Sequence, residues 1–148
     1  MKILTGLLLI FLATAQTCSN TITQGIGGRV SWIEGNQMPG VYQKETRPEA
    51  QPVQRTLRIY PPLQMEELKR HNDYFFMAPD KEPIKTITSN EDGTYLIALE
   101  PGQYSLLIEE EDGLWANSFD GNGVVNPVQV WKDSVTQHNI LINYKASY

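Results

Sequence analysis

Side chains capable of acid–base, nucleophilic or metal chemistry are sparse in this chain and do not cluster. The two histidines, His71 and His138, lie far apart, and neither falls in a ligand-spaced group with Cys, Asp or Glu; a transition-metal centre needs three or four such ligands. The single cysteine, Cys18, stands near the N-terminus with no partner for an internal disulfide. No Gly-x-Ser-x-Gly nucleophile elbow occurs. A Ser-His-Asp set can be assembled from distant positions without any motif, so a small hydrolase stays open as an alternative. The strongest acidic run, Glu109-Glu110-Glu111-Asp112, follows an apolar strand candidate and reads as a charged rim that discourages edge pairing. Calcium is the other use for it, with Asp120-Gly121-Asn122-Gly123 supplying further oxygens, although the loop pattern of a calcium hand is missing. The residues assign no catalytic group, no metal ligand and no cofactor.

The segment Gly113–Phe119 offers binding rather than catalysis. It sets Trp115 and Phe119 among turn residues, with Asn117 between them and Asp120 just after. Aromatic rings on loops stack on sugars or anchor a protein partner; they also plug the ends of β-sandwiches as ordinary core. Trp115, Asn117, Phe119 and Asp120 are therefore the candidate surface for a ligand or partner, a protein or a glycan. Nucleic acid is not expected: the formal net charge is -5 and no stretch of Lys and Arg forms an electrostatic footprint. The polybasic route to an anionic membrane is missing for the same reason.

The N-terminus, MKILTGLLLIFLATAQTCSN, reads as a secretory signal. Lys2 gives the positive start, Ile3–Leu12 is almost wholly apolar, and Ala13 and Ala15 give an Ala-x-Ala cleavage pattern. The apolar run is too short to cross roughly 30 Å of hydrocarbon. Cleavage after residue 15 releases a periplasmic or extracellular protein. Alternatively the leader spans 1–17 and Cys18 carries a lipid anchor, holding the protein in the cell envelope; the preceding Ala15-Gln16-Thr17 departs from a lipobox. That anchor is the one route to a membrane the sequence offers.

The elements that must position these residues are strands. After a polar, Gly-rich lead over 16–27, apolar residues recur with period two, the spacing of side chains on one face of a strand. Val30 with Trp32, Leu57 with Ile59, Tyr95 with Ile97 and Leu99, Tyr104 with Leu106 and Ile108, and Ile140 with Ile142 are the expected core. Tyr74–Met77, Ile84–Thr88 and Val125–Val130 are further strand candidates, and Met65–His71 is the one short helical stretch. Tyr42–Val53, polar with two prolines, reads as an exposed loop. Asn90-Glu91-Asp92-Gly93 and Glu100-Pro101-Gly102 mark reversals; the second fits a type II turn with positive φ at Gly102. Lys85–Glu109 then reads as a three-stranded meander. Seven to eight strands with regular turns predict an all-β fold, an antiparallel two-layer β-sandwich over 28–148.

Four short motifs carry a resemblance. Gly28-Arg29-Val30 opens the domain, Met38-Pro39-Gly40-Val41 precedes the next strand, Thr88 leads to Gly93-Thr94-Tyr95, and Pro101-Gly102-Gln103-Tyr104 turns into a strand. In these the chain resembles the carboxypeptidase regulatory-like domain, a transthyretin-like β-sandwich. From Trp115 through Asn126-Pro127-Val128 to Tyr144 it is also similar to single-domain exported proteins of Bacteroidota. The stretch between Val41 and Ile84 is longer than a minimal domain of this family has. The family accompanies certain peptidases but carries none of their catalytic residues, so the resemblance implies the fold and no enzymatic activity. The function expected is a non-enzymatic binding or structural module of the bacterial cell envelope; an envelope assembly factor acting through protein contacts is the alternative.

Overall fold

The structure, a computed structural model, describes residues 21–38 and 48–148. The signal segment, Cys18, the first part of the lead and Pro39-Gly40-Val41 lie outside the described residues. Among the described residues eleven strands form two sheets, an all-β sandwich. The first sheet is organised around β1 (Gly25–Asn36), the longest strand. Its first half pairs with β6 (Thr94–Ala98) and β10 (Val135–Gln137), its second half with β2 (Gln51–Pro52) and β11 (Ile140–Ser147). The second sheet is organised around β7 (Gly102–Glu110). One edge of β7 pairs with β3 (Thr56–Tyr60), which pairs with β5 (Lys85–Thr88). The other edge takes β9 (Pro127–Val130) and β8 (Gly113–Trp115) in succession, and β8 pairs with β4 (Phe75–Phe76).

The period-two residues meet between the sheets. Ile26 and Val30 of β1, Leu57 and Ile59 of β3, Tyr95 and Ile97 of β6, Leu106 and Ile108 of β7, and Ile140 and Ile142 of β11 form one buried cluster. Trp32 joins its edge half-buried. Every other residue of the expected core is buried.

Five readings of the sequence are refined or corrected. β1 starts at Gly25, so the last three residues of the lead 16–27 belong to the sheet. The sandwich is antiparallel-rich as expected, with β1 alone running parallel to two neighbours, β10 and β11; side-chain alternation is blind to strand direction. The meander does not exist. β5 pairs with β3, β6 with β1 and β7 with β3, so both reversals carry the chain from one sheet to the other rather than between neighbours. Two strands with aligned apolar faces can face each other across a core as readily as lie side by side. Pro101-Gly102 is accordingly not a type II turn: Gly102 has φ +157°, far from the roughly +80° that turn needs. The helical stretch reduces to a 3₁₀ turn, Met65–Glu67, held by a reciprocal capping box between Gln64 and Glu67.

The long segment ahead of Ile84 has a purpose the sequence hides. It crosses the outer face of the second sheet and builds a second core there from Tyr60, Leu63, Leu68, Phe76, Leu107, Leu114 and Val125. β7 therefore has both faces covered, which explains its continuous apolar run. Ser105, fully buried on that outer face, accepts a hydrogen bond from the Leu63 backbone N–H at 2.9 Å and ties the crossing segment down.

His138 lies at the turn between β10 and β11. Its N–H donates to the Gly27 carbonyl at 2.8 Å, and its own carbonyl accepts from the Tyr95 hydroxyl at 2.5 Å. Burial lowers its imidazole pKa below the ordinary value of 6.5, favouring the neutral ring. A depressed folded pKa means the unfolded chain binds the proton more readily, so this contribution is present above about pH 6.5 and is lost as pH falls. The melting temperature should decline between about pH 7 and pH 5, where carboxylates stay ionised, and His138→Gln should flatten the decline. A slope unchanged by the substitution would place its origin elsewhere.

Candidate functional site

At the end of the sandwich where β1 and β11 finish, a groove of about 360 Å³ opens beside the loop that follows β8. Three of the large apolar side chains most exposed on the described surface line it: Tyr74 at 54%, Phe119 at 66% and Tyr148 at 66%. They come from three separate parts of the chain, so their convergence is a product of the fold and not of local sequence.

Tyr74 is held from behind, and the Tyr148 hydroxyl accepts from the Asn143 amide at 3.1 Å. Asn72 Oδ1 accepts from the N–H groups of Tyr74 and Phe75 at 2.9 and 3.0 Å, a local turn that throws Tyr74 outward and Phe75 inward. Phe75 packs edge-on against Tyr144 with centroids 4.8 Å apart, and Tyr144 packs edge-on against Trp32 at 5.0 Å. Tyr74 lies 6.0 Å from the same Tyr144 ring. An aromatic ladder thus runs from the sandwich interior to the groove.

The β11 wall depends on a bulge. Trp32 pairs with Ile142 and Glu34 with Lys145, so Ile33 alone opposes both Asn143 and Tyr144. A regular strand would send those two side chains to opposite faces; the extra residue re-aims the strand, and both line the groove. Tyr144 is fixed further by its hydroxyl, which donates to Glu110 at 3.0 Å. Glu110 also accepts from Arg55 at 2.7 Å, and its side chain is only 6% exposed. Burial, helped by the Glu110 carboxylate, pushes the Tyr144 phenol up to about 12.

The acidic run is a surface rim with one exception: Glu109, paired with Arg58 at 2.9 Å, Glu111 and Asp112 are exposed, whereas Glu110 is withdrawn to pair with Arg55. Strand β7 is long enough to carry the first two acids to the arginines beside β3. Among the described residues no three His, Cys, Asp or Glu side chains gather in a way that could hold a metal ion.

The four residues expected to form a surface separate into two kinds. Trp115 is 2% exposed: it pairs with Phe75 across β4 and β8, joins the main core, and offers the groove only its floor. Of the two uses open to the tryptophan, core plug and binding anchor, the first is the one it has, because the three residues Gly113–Trp115 are strand, not loop. Asn117 and Phe119 lie on the rim, exposed. Asp120 braces the loop instead of facing the groove, its Oδ1 accepting from the N–H groups of Asn122 and Val124, both at 2.9 Å. Tyr74, Asn143, Tyr144 and Tyr148 were missed by sequence reasoning. A ladder of aromatics at strand ends was the one available signal, and it does not distinguish core from rim.

Arg70 and Asp73 are the only charged residues lining the groove. Among the described residues neither forms an ion pair; Arg70 reaches only the Asp73 backbone carbonyl, at 3.2 Å, and lies over the Phe76 ring. The Asn117 amide has no hydrogen-bond partner among the described residues. A larger cleft of about 640 Å³ lies at the opposite end, by Thr21–Gln24. Two of its polar side chains are engaged: the Gln24 amide bonds Leu99 and Asp133, and the Tyr104 hydroxyl bonds the Glu100 carbonyl. The aromatic groove is the better candidate because three exposed aromatic rings converge on it.

No protein-family model matches the chain, and no curated protein matches it. No helix among the described residues is long and apolar enough to cross a membrane.

Proposed function

We propose that this protein is a non-enzymatic binding module of the bacterial cell envelope, of the carboxypeptidase regulatory-like type, and that the aromatic groove is where it binds. The observation that carries this reading is the convergence of Tyr74, Phe119 and Tyr148 on one concavity beside available polar groups. Exposing three large rings in one place costs solubility and needs a reason. Tyr74 rests against the Tyr144 ring and the Tyr148 hydroxyl is bonded by Asn143, contacts that lower the entropy those two rings lose on binding. The N-terminal segment, read as a secretory signal, supports a location outside the cytoplasm.

The test is co-sedimentation of the purified mature protein with washed envelope material from its own cells. Wild type should pellet with the envelope. A Phe119→Ala/Tyr148→Ala double variant should lose most of that binding, because exposed rings at a contact centre each contribute on the order of 1 kcal/mol or more. Equal pelleting of the two proteins would remove the groove from the function. No pelleting of wild type would remove envelope binding itself.

A further inference from the structure

We propose that the groove takes one or two pyranose rings of an uncharged glycan. This rests on the binding-module reading and gives the occupant its chemical class. Size is the first argument. About 360 Å³ falls in the range of small-ligand pockets, whereas a stable protein partner covers about 800 Å² of each surface, most of it flat.

The arrangement of polar and apolar groups is the second argument. A pyranose presents C–H groups on its faces and hydroxyls around its edge. Tyr74, Phe119 and Tyr148 offer flat apolar faces for the first. Asn117, Asp73 and the side-chain oxygen of Asn143 stand beside the rings for the second: the Asn117 amide can donate to and accept from hydroxyls, and the Asp73 carboxylate and Asn143 oxygen can accept from them. A dry apolar anchor from a protein would leave these groups unpaired, at a cost for each.

Charge is the third argument. The lining side chains include one cation, Arg70, and one anion, Asp73, whose charges offset each other. The chain as a whole is acidic, at -5, and would repel a polyanion. A uronic-acid or phosphate-bearing polymer is therefore disfavoured relative to a neutral one.

The experiment is a titration of the ¹⁵N-labelled mature protein with a panel of soluble hexasaccharides at millimolar concentration: cellohexaose, maltohexaose, xylohexaose, chitohexaose, and hexagalacturonate as the anionic control. At least one neutral member should give saturable shifts centred on Tyr74, Asn117, Phe119 and Tyr148, and the control should bind more weakly. Phe119→Ala and Tyr148→Ala should each weaken the affinity about tenfold. Both rings are exposed, so the variants should keep the wild-type spectrum elsewhere; Asn117→Ala serves should either variant fail to fold. No saturable shift with any neutral sugar, tighter binding of hexagalacturonate, or shifts mapping away from the groove would overturn the proposal. Envelope binding that needs Phe119 and Tyr148 but vanishes when the envelope is protease-treated would also overturn it, naming a protein as occupant and leaving the binding-module reading intact.

Discussion

Gly93→Ala should lower the stability of the domain by more than about 3 kcal/mol, against a total of about 5–15 kcal/mol for a domain of this size. Gly93 closes the reversal from Asn90 to Thr94, where its N–H donates to the Asn90 carbonyl at 2.9 Å and Asp92 Oδ1 accepts from the Thr94 N–H and hydroxyl at 3.0 and 2.6 Å. Its φ is +77°, the left-handed region that costs any residue with a Cβ roughly 1–2 kcal/mol. Space is the larger obstacle. A Cβ at Gly93 would lie 2.2 Å from the Val30 carbonyl oxygen. That oxygen cannot retreat cheaply, because it accepts from the Val53 N–H at 3.1 Å, and the Val30 N–H donates back to the Gly93 carbonyl at 2.9 Å. Relief therefore means pulling the reversal off the middle of β1. Thermal melts should show a drop of roughly 10 °C or more. Gly121, with nothing within 4 Å of a Cβ, is the internal control and should tolerate alanine with little change. Gly102→Ala should fall between them, since its nearest neighbour would be the Tyr104 ring at 3.8 Å and only its backbone angle is unfavourable. A Gly93→Ala protein that melts with wild type would mean the reversal does not pack on β1.

Asn126→Ala is expected to cost about as much, by a different route. Asn126 is 5% exposed, with φ +39° immediately before Pro127, where an extended backbone is the norm. Its side chain holds that conformation. Oδ1 accepts from the Ser118 N–H and hydroxyl at 2.9 and 2.7 Å, and Nδ2 donates to the Leu106 carbonyl at 3.0 Å. Its backbone completes the link, donating to the Ser118 carbonyl at 2.8 Å and accepting from Leu106 at 3.2 Å. Alanine deletes the side-chain bonds and leaves the carbonyl of buried Leu106 without the Asn126 donor, at about 1–3 kcal/mol, and keeps the unfavourable backbone angle with nothing to hold it. Asn126→Gly separates the two causes, since glycine accepts the angle but not the bonds. Urea unfolding should rank wild type above the glycine variant and the glycine variant above alanine. Because Asn126 anchors Ser118, the neighbour of Phe119, both variants should also bind less in the co-sedimentation assay even where they remain folded. Full binding by a folded Asn126→Ala protein would separate the loop from the groove.

The core was legible because alternation is a direct record of which face of a strand meets water. Ile97 and Leu99 or Leu106 and Ile108 could hardly be read otherwise, and each is buried. Partnership between strands was not legible. The order Lys85–Glu109 suggested neighbours, and a chain that passes from sheet to sheet satisfies the same pattern of apolar faces. β2, β8 and β10 were invisible because two or three residues give alternation no room to appear. The site was half legible. Asn117 and Phe119 lie in one loop and were read from it, whereas Tyr74 and Tyr148 join them only through β4, the bulge in β11 and the end of β1. Trp115 misled because a tryptophan beside glycines looks like a loop residue until β4 is found to pair with it.

Strand β1 also sets a distance. Its start, Gly25, lies beside β6 at the end where Thr21 enters, and Glu34 pairs across from the wall of the groove. Those residues are nine apart, which at about 3.3 Å each is roughly 30 Å of stiff, paired backbone. Acyl chains on Cys18 would fasten the opposite pole of the sandwich to the bilayer. The groove would then stand off from the lipid by the full height of the domain and look outward, toward polymer lying above the membrane and away from headgroups.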